Sequence, residues 1–131
     1  MSAAYKAPGF EASVVPYITA IREAYEWADL VIARAGASSV SEIAACGKAS
    51  ILVPLPTAAH DHQRFNARKL AEAGAAILME EATLTGESLA REILALRGDP
   101  TRVMAMERSV SMLARPDAAA RIVDMVEELL A

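Results

Sequence analysis

The chain has 131 residues, the length of a single domain, and 54% of them are apolar, which excludes a disordered protein. Its 13 lysines and arginines against 17 aspartates and glutamates give a net charge of −4, which argues against a nucleic-acid-binding protein, because such proteins need a basic face. The single cysteine cannot form an internal disulfide bond and favours a reducing, cytoplasmic environment. We expect neither a membrane span nor a secretory signal, because no apolar run is long enough.

Short apolar runs alternate with helical patterns up to Met79. In chain order the sequence predicts a strand at Val14–Ile18, a helix at Thr19–Ala28 capped by its threonine, a strand at Leu30–Arg34, a helix at Ser39–Cys46, a strand at Ser50–Val53, a helix at His62–Ala73 and a strand at Ala75–Met79. The runs are apolar throughout, which is typical of parallel strands covered on both faces.

Three amphipathic helices follow the last predicted strand. We expect them at Glu87–Leu96, Thr101–Leu113 and Asp117–Leu130, because apolar residues recur there near the helical period. Strands and helices in strict alternation predict an α/β fold, with a parallel sheet, right-handed crossovers and these helices at its C-terminal end.

The predicted topology indicates where a ligand would bind. In parallel α/β sheets, ligands bind beyond the carboxyl ends of the strands, in the loops that lead into helices. Two loops of this chain qualify, Arg34–Ser39 and Pro54–Gln63, and the second is stiffened by two prolines.

The first loop has residues suited to an anion. Gly36 would let the backbone approach a ligand closely, and Ser38 and Ser39 could cap a helix whose free amides form an anion site. Glu42, about one turn further on, could accept hydrogen bonds from a diol such as ribose. An ordinary capping box from Ser39 to Glu42 explains the same residues, so spacing alone leaves both interpretations open.

The second loop ends in a polar cluster. His60 and His62 are suggestive of a metal site, but they are two residues apart and no third ligand is evident. We therefore favour a solvated helix start with Asp61 as the N-cap. Gln63 and Asn66 are neutral donor–acceptor groups of the kind that bind sugar hydroxyls, although a plain polar helix face would look the same.

One long segment is similar to a known family. The stretch AYEWADLVIARAGASSVSEIAACGKASILVPLPTAAHDHQRFNARKLAEAGAA resembles the C-terminal, donor-binding domain of the MurG family of peptidoglycan N-acetylglucosaminyltransferases. The most specific parts are ADLVI, RAGASSVSE, ILVP and HQRFNA followed by GAA, and the likeness runs from about Val15 to the end of the chain.

This resemblance implies a GT-B fold, in which two Rossmann-like domains face each other across a cleft. The chain would then be an incomplete Rossmann-like sheet from the C-terminal half of such an enzyme. It implies an inverting transfer of N-acetylglucosamine from UDP-N-acetylglucosamine to the muramoyl sugar of lipid I, which gives lipid II in peptidoglycan synthesis. The family binds the diphosphate at a helix N-terminus, so we expect no metal and no cofactor.

The resemblance also assigns roles to the candidate residues. Glu42 would hold the ribose hydroxyls, and Ile18 would meet uracil through its backbone. Gln63 and His62 would contact the N-acetylglucosamine hydroxyls. The small residues expected to line the diphosphate and uridine pocket are Ala37, Ser38, Ser39, Val40 and Ser41, with Gly36 before them and with Arg34 and Asn66 at supporting positions.

Compared with the family, the chain lacks the N-terminal acceptor domain and the first strands of the C-terminal domain. The expected general base and the site for lipid I belong to that missing part, so we expect a fragment without a complete active site. The full-length protein would be peripheral on the cytoplasmic face of the membrane. Loss of those strands would leave an apolar edge at Leu30–Arg34, so we expect that the N-terminal segment refolds or that two chains pair as a homodimer.

Two other functions fit the same residues. One is another UDP-sugar transferase that acts on a glycolipid, and the other is a non-catalytic module that binds nucleotide sugars. A UDP-sugar epimerase fits less well, because the SVSE and HQ segments match the transferase better.

Overall fold

The computed structural model describes residues 11–57 and 61–130, and its centre is a small parallel sheet. The strands are β1 (Val31–Ala33), β2 (Ser50–Leu52) and β3 (Ala76–Leu78), in the order β1-β2-β3. In this register Ile51 lies opposite Ile32 on one side and Ile77 on the other. The carboxyl ends of all three strands therefore lie at the same edge of the sheet.

In the described residues one α-helix precedes the strands, and five connect or follow them. They are α1 (Ile21–Trp27), α2 (Ala37–Cys46), α3 (His62–Glu72), α4 (Gly86–Arg97), α5 (Pro100–Leu113) and α6 (Ala118–Leu130), and a short 3-10 helix lies at Glu81–Thr83. Helix α2 ends at Gly47, whose φ of 63° favours glycine, and a side chain there would also meet the Ser111 hydroxyl at 2.7 Å.

The core has one apolar cluster on each face of the sheet, because successive strand residues point to opposite sides. Leu52 packs on one face with Ile43 of α2 and Leu70 of α3. Ile51 packs on the other face with Leu96 of α4 and Met106 of α5.

The α/β class and three of the four predicted strands are confirmed, with somewhat shorter bounds. The strand predicted at Val14–Ile18 is wrong: residues 11–20 form no strand, and every one of them is exposed. A β-branched run favours extended backbone, but it forms a strand only beside a partner, and no described strand pairs with this segment. The predicted Thr19 cap is also wrong, since α1 begins after Ala20 without a side-chain cap.

The last helix, α6, has the predicted amphipathic pattern but no buried residue. Its apolar residues Ile122, Val126 and Leu129 are 62%, 48% and 85% exposed. In the part of the chain that the structure describes, no helix is both long enough and apolar enough to cross a membrane.

Candidate functional site

The candidate site lies at the carboxyl ends of β1 and β2, where the sequence places the two polar loops. Only three residues separate the end of β1 from the start of α2, and α3 follows β2 through the second loop. Helices α2 and α3 also pack on each other. The N-termini of two neighbouring helices are thus brought to the same edge of the sheet.

Helix α2 begins earlier than the sequence predicts and is not capped by a side chain. Gly36 is its N-cap residue, and Ser38 and Ser39 lie inside the first turn, so the prediction that they cap the helix is wrong. The first helical hydrogen bond runs from the Val40 amide to the Gly36 carbonyl oxygen, at 3.0 Å. The amides of residues 37–39 therefore have no acceptor within the helix, which is the arrangement that binds anions.

Gly36 occupies an ordinary backbone conformation, with φ of −63° and ψ of 153°. Apart from its chain neighbours, no atom of residues 11–57 and 61–130 lies within 4 Å of the position that a Cβ atom would take there. The described part of the fold therefore does not require glycine at this position at the start of α2.

Glu42 lies on α2 one turn after these amides, and its side chain has one defined partner. The Tyr25 hydroxyl of α1 donates a 3.1 Å hydrogen bond to Glu42 Oε2. Tyr25 is buried, whereas Glu42 is exposed. Burial, followed by the hydrogen bond and the negative charge of Glu42, raises the pKa of Tyr25 to about 12. Tyr25 therefore remains a hydrogen-bond donor at neutral pH.

The second loop places Gln63 in the first turn of α3. Its side-chain oxygen accepts a 3.0 Å hydrogen bond from the Leu55 amide, and its side-chain nitrogen donates to no residue in the described ranges. Asp61 is the N-cap residue, as predicted, but it adopts a left-handed conformation with φ of 58° and does not cap the helix. Its carboxylate instead accepts a 3.3 Å hydrogen bond from Arg64.

Arg34 and Asn66 tie the loops together. The Arg34 guanidinium donates to the carbonyl oxygens of Val53 and Pro54, both at 3.3 Å, and to the carboxylate of Glu81. The side-chain nitrogen of Asn66 donates a 3.0 Å hydrogen bond to the Ala35 carbonyl oxygen. Both side chains thus bind protein groups of the two loops.

The structure describes two of the three remaining predicted residues. Ile18 is half exposed in the segment before α1, and His62 is the exposed first residue of α3. His60, which suggested a metal site together with His62, lies outside the described residues. Within residues 11–57 and 61–130, no cluster of three histidine, cysteine or acidic side chains could hold a metal ion.

Sequence reasoning did not predict Tyr25 at the site. The helical pattern places Tyr25 only within the helix predicted at Thr19–Ala28. A partner 17 residues away leaves no local signal, because it depends on how α1 packs against α2.

Comparison with known proteins identifies the family. Residues 2–122 match the model of the glycosyltransferase family 28 C-terminal domain. The chain belongs to this family. The structure is also similar to a solved structure, the MurG of Acinetobacter baumannii, with a TM-score of 0.82 and 38% sequence identity. The match covers 88% of this chain and 33% of that one.

Curated relatives in the family bear the name UDP-N-acetylglucosamine–N-acetylmuramyl-(pentapeptide) pyrophosphoryl-undecaprenol N-acetylglucosamine transferase. The protein from Myxococcus xanthus is 45% identical over 96% of this chain, and the one from Syntrophus aciditrophicus is 50% identical over 95%. The chain spans only 33% and 34% of the lengths of these two relatives.

Proposed function

We propose that this chain is the donor-binding part of an inverting glycosyltransferase that moves N-acetylglucosamine from UDP-N-acetylglucosamine to lipid I and so forms lipid II. The observation that carries the proposal is the uncapped start of α2 beside the carboxyl end of β1, with the Glu42 carboxylate one turn further on. The names of the relatives, which include both the donor and a lipid-linked muramyl acceptor, support the same assignment.

Each part of the donor would meet a different part of this edge. The diphosphate would accept hydrogen bonds from the amides at the start of α2, among residues Ala37, Ser38, Ser39, Val40 and Ser41. Glu42 would accept hydrogen bonds from the ribose hydroxyls. The free side-chain nitrogen of Gln63 would donate to a hydroxyl of the sugar, with His62 beside it, and Ile18 would meet uracil through its backbone.

The proposed roles follow from where charge develops during transfer. The acceptor hydroxyl oxygen forms a bond to the anomeric carbon, the bond from that carbon to the β-phosphate oxygen breaks, and its electron pair stays on the departing UDP. The amides of α2 would stabilise this growing negative charge, with no metal or cofactor. The proton of the acceptor would pass to a base outside this chain.

We further propose that residues 1–131 form only part of a donor domain, and that an N-terminal acceptor domain supplies the base and binds lipid I. The whole protein would then act at the cytoplasmic face of the membrane. A homodimer of the isolated chain would form along β1, which has no second strand neighbour in the described sheet.

Isothermal titration calorimetry of the chain with UDP-N-acetylglucosamine, UDP-galactose, UDP and ADP tests the proposal. We expect UDP to bind more tightly than ADP, and UDP-N-acetylglucosamine to bind more tightly than UDP-galactose. Glu42→Ala should weaken UDP binding about tenfold, which corresponds to the loss of charge-assisted hydrogen bonds. Glu128→Ala, which removes an exposed carboxylate of α6, is the matched control and should have no effect.

A second variant tests the sugar contact. Gln63→Ala should remove the preference for UDP-N-acetylglucosamine over UDP-galactose while UDP still binds. Equal affinity for UDP and ADP would indicate a general anion site, and absence of UDP binding to the wild-type chain would overturn the proposal.

A further inference from the structure

We infer that Tyr25 is a positioning residue for the nucleotide sugar, because its hydroxyl holds the Glu42 carboxylate in the orientation that accepts the ribose hydroxyls. This inference rests on the proposed function and extends it to a residue of α1 that does not itself touch the donor.

The packing of Tyr25 fixes where its hydroxyl lies. The residue is only 8% exposed and belongs to the core cluster that contains Ile43 and Ala44 of α2. Helix α1 packs directly on α2. Because the ring is held by the core, its hydroxyl is a rigid donor beside a flexible carboxylate.

The hydrogen bond selects one orientation of an otherwise mobile side chain. An exposed glutamate samples many rotamers, and fixing it when a ligand binds costs conformational entropy. The Tyr25 hydroxyl engages Oε2 at 3.1 Å, so part of that cost is met during folding, and Oε1 accepts no hydrogen bond from the described residues. A carboxylate oxygen accepts more than one hydrogen bond, so Oε2 can also contribute to holding a pair of neighbouring hydroxyls.

The same contact could serve only to hold α1 on α2, and the two roles predict different ligand dependence. A purely structural bond would affect every nucleotide equally. A positioning bond would affect only ligands that have ribose hydroxyls, because only these contact Glu42.

The test compares UDP with 2′,3′-dideoxy-UDP by isothermal titration calorimetry. Tyr25→Phe keeps the buried ring and removes the hydroxyl, and Tyr17→Phe, at a residue that is 78% exposed, is the matched control. We expect the wild-type chain to bind UDP at least tenfold more tightly than the dideoxy analogue. Tyr25→Phe should reduce the ratio of the two affinities to about twofold, because it weakens the binding of UDP alone. Tyr17→Phe should leave this ratio unchanged.

The Glu42→Ala background shows whether Tyr25 acts through Glu42. There Tyr25→Phe should cause no further loss of UDP affinity, since the carboxylate that it positions is gone. Circular-dichroism melting of each variant confirms that it is folded before titration.

The following outcomes would overturn the inference. Tyr25→Phe could weaken both nucleotides equally, which would make the bond structural, or it could change neither affinity. Failure of the wild-type chain to bind UDP would instead overturn the proposed function, and the inference with it. If Glu42→Ala weakens UDP binding and Tyr25→Phe does not, the proposed function remains intact and only the role of Tyr25 is removed.

Discussion

The side chain of Asn66, on α3, donates a 3.0 Å hydrogen bond to the backbone carbonyl oxygen of Ala35, in the loop between β1 and α2. Ala35 is completely buried, so this carbonyl has little access to water. The bond joins the helix that carries Gln63 to the loop that leads into the uncapped end of α2. The two halves of the candidate site are therefore held in one arrangement by a side chain that lies between them.

Removal of this bond should destabilise the chain. Asn66→Ala leaves the buried carbonyl of Ala35 without its donor, which costs about 1–3 kcal/mol in the free energy of unfolding. Urea unfolding followed by circular dichroism measures the loss. Arg68→Ala, at an exposed position of the same helix, is the control and should change stability by less than about 0.5 kcal/mol. Equal effects of the two variants would show that the bond contributes nothing.

The parts of the fold that could be predicted from the sequence are those governed by local pattern. The runs at Leu30–Arg34, Ser50–Val53 and Ala75–Met79 are short and continuously apolar, and each contains an observed strand. The run at Val14–Ile18 has the same pattern but is exposed and unpaired. The residues of a run show which faces a strand there would bury. Whether the strand forms depends on a neighbouring strand elsewhere in the chain, which the run itself does not specify.

The candidate site shows the same division. The sequence correctly predicts that Gly36 precedes α2 and that Glu42 lies on it, because a strand followed by glycine and small residues is a local signal. The predicted helix start, Ser39, lies two residues after the observed start, Ala37. Serine is a common N-cap residue, whereas the N-cap of α2 is Gly36. The bonds from Tyr25 to Glu42 and from Asn66 to Ala35 arise from packing between elements and leave no trace in spacing.

The uncapped start of α2 predicts a trade-off between stability and binding. Gly36→Asp adds a carboxylate at a position where the described residues leave room for a Cβ atom, and this side chain can accept hydrogen bonds from the amides of the first turn. We expect the free energy of unfolding to rise by about 0.5 kcal/mol, from the cap and the helix dipole. UDP affinity should fall at least tenfold, because the carboxylate occupies the amides and repels the diphosphate.

Gly86→Asp is the matched control for this substitution. Gly86 is the first residue of α4, and it too has open space around the position of a side chain. An acidic residue there should interact favourably with its own helix dipole without affecting UDP affinity. A Gly36→Asp variant that binds UDP as tightly as Gly86→Asp would contradict a phosphate site at α2.

The raised pKa of Tyr25 predicts a loss of stability at alkaline pH. Its folded-state pKa of about 12 lies above the ordinary value of 10, so the protonated phenol is favoured by folding. The stability that it contributes is complete below pH 10 and is lost as the pH rises through 12. Unfolding midpoints in urea at pH 8, 10, 11 and 12 should therefore fall more steeply for the wild-type chain than for Tyr25→Phe. Parallel curves for the two proteins would contradict this expectation, and Tyr17→Phe should behave like the wild type.

The edge of the sheet at β1 predicts self-association. Strand β1 pairs with β2 alone in the described sheet, and its Ile32 side chain is 46% exposed. Unpaired backbone groups beside an exposed apolar side chain favour pairing with a second strand. Helix α6 also exposes apolar side chains, with Leu129 85% exposed, so β1 and α6 are competing interfaces for an association of two chains.

One substitution on each surface distinguishes these interfaces, with molar mass measured by light scattering over a range of concentrations. Ile32→Lys places a charge on the edge strand and should shift the chain from dimer to monomer, because burying an unpaired charge opposes strand pairing. Leu129→Lys should leave the dimer intact if β1 forms the interface. Dissociation by Leu129→Lys alone would assign the contact to α6, and a wild-type chain that is monomeric at every concentration would refute pairing along β1.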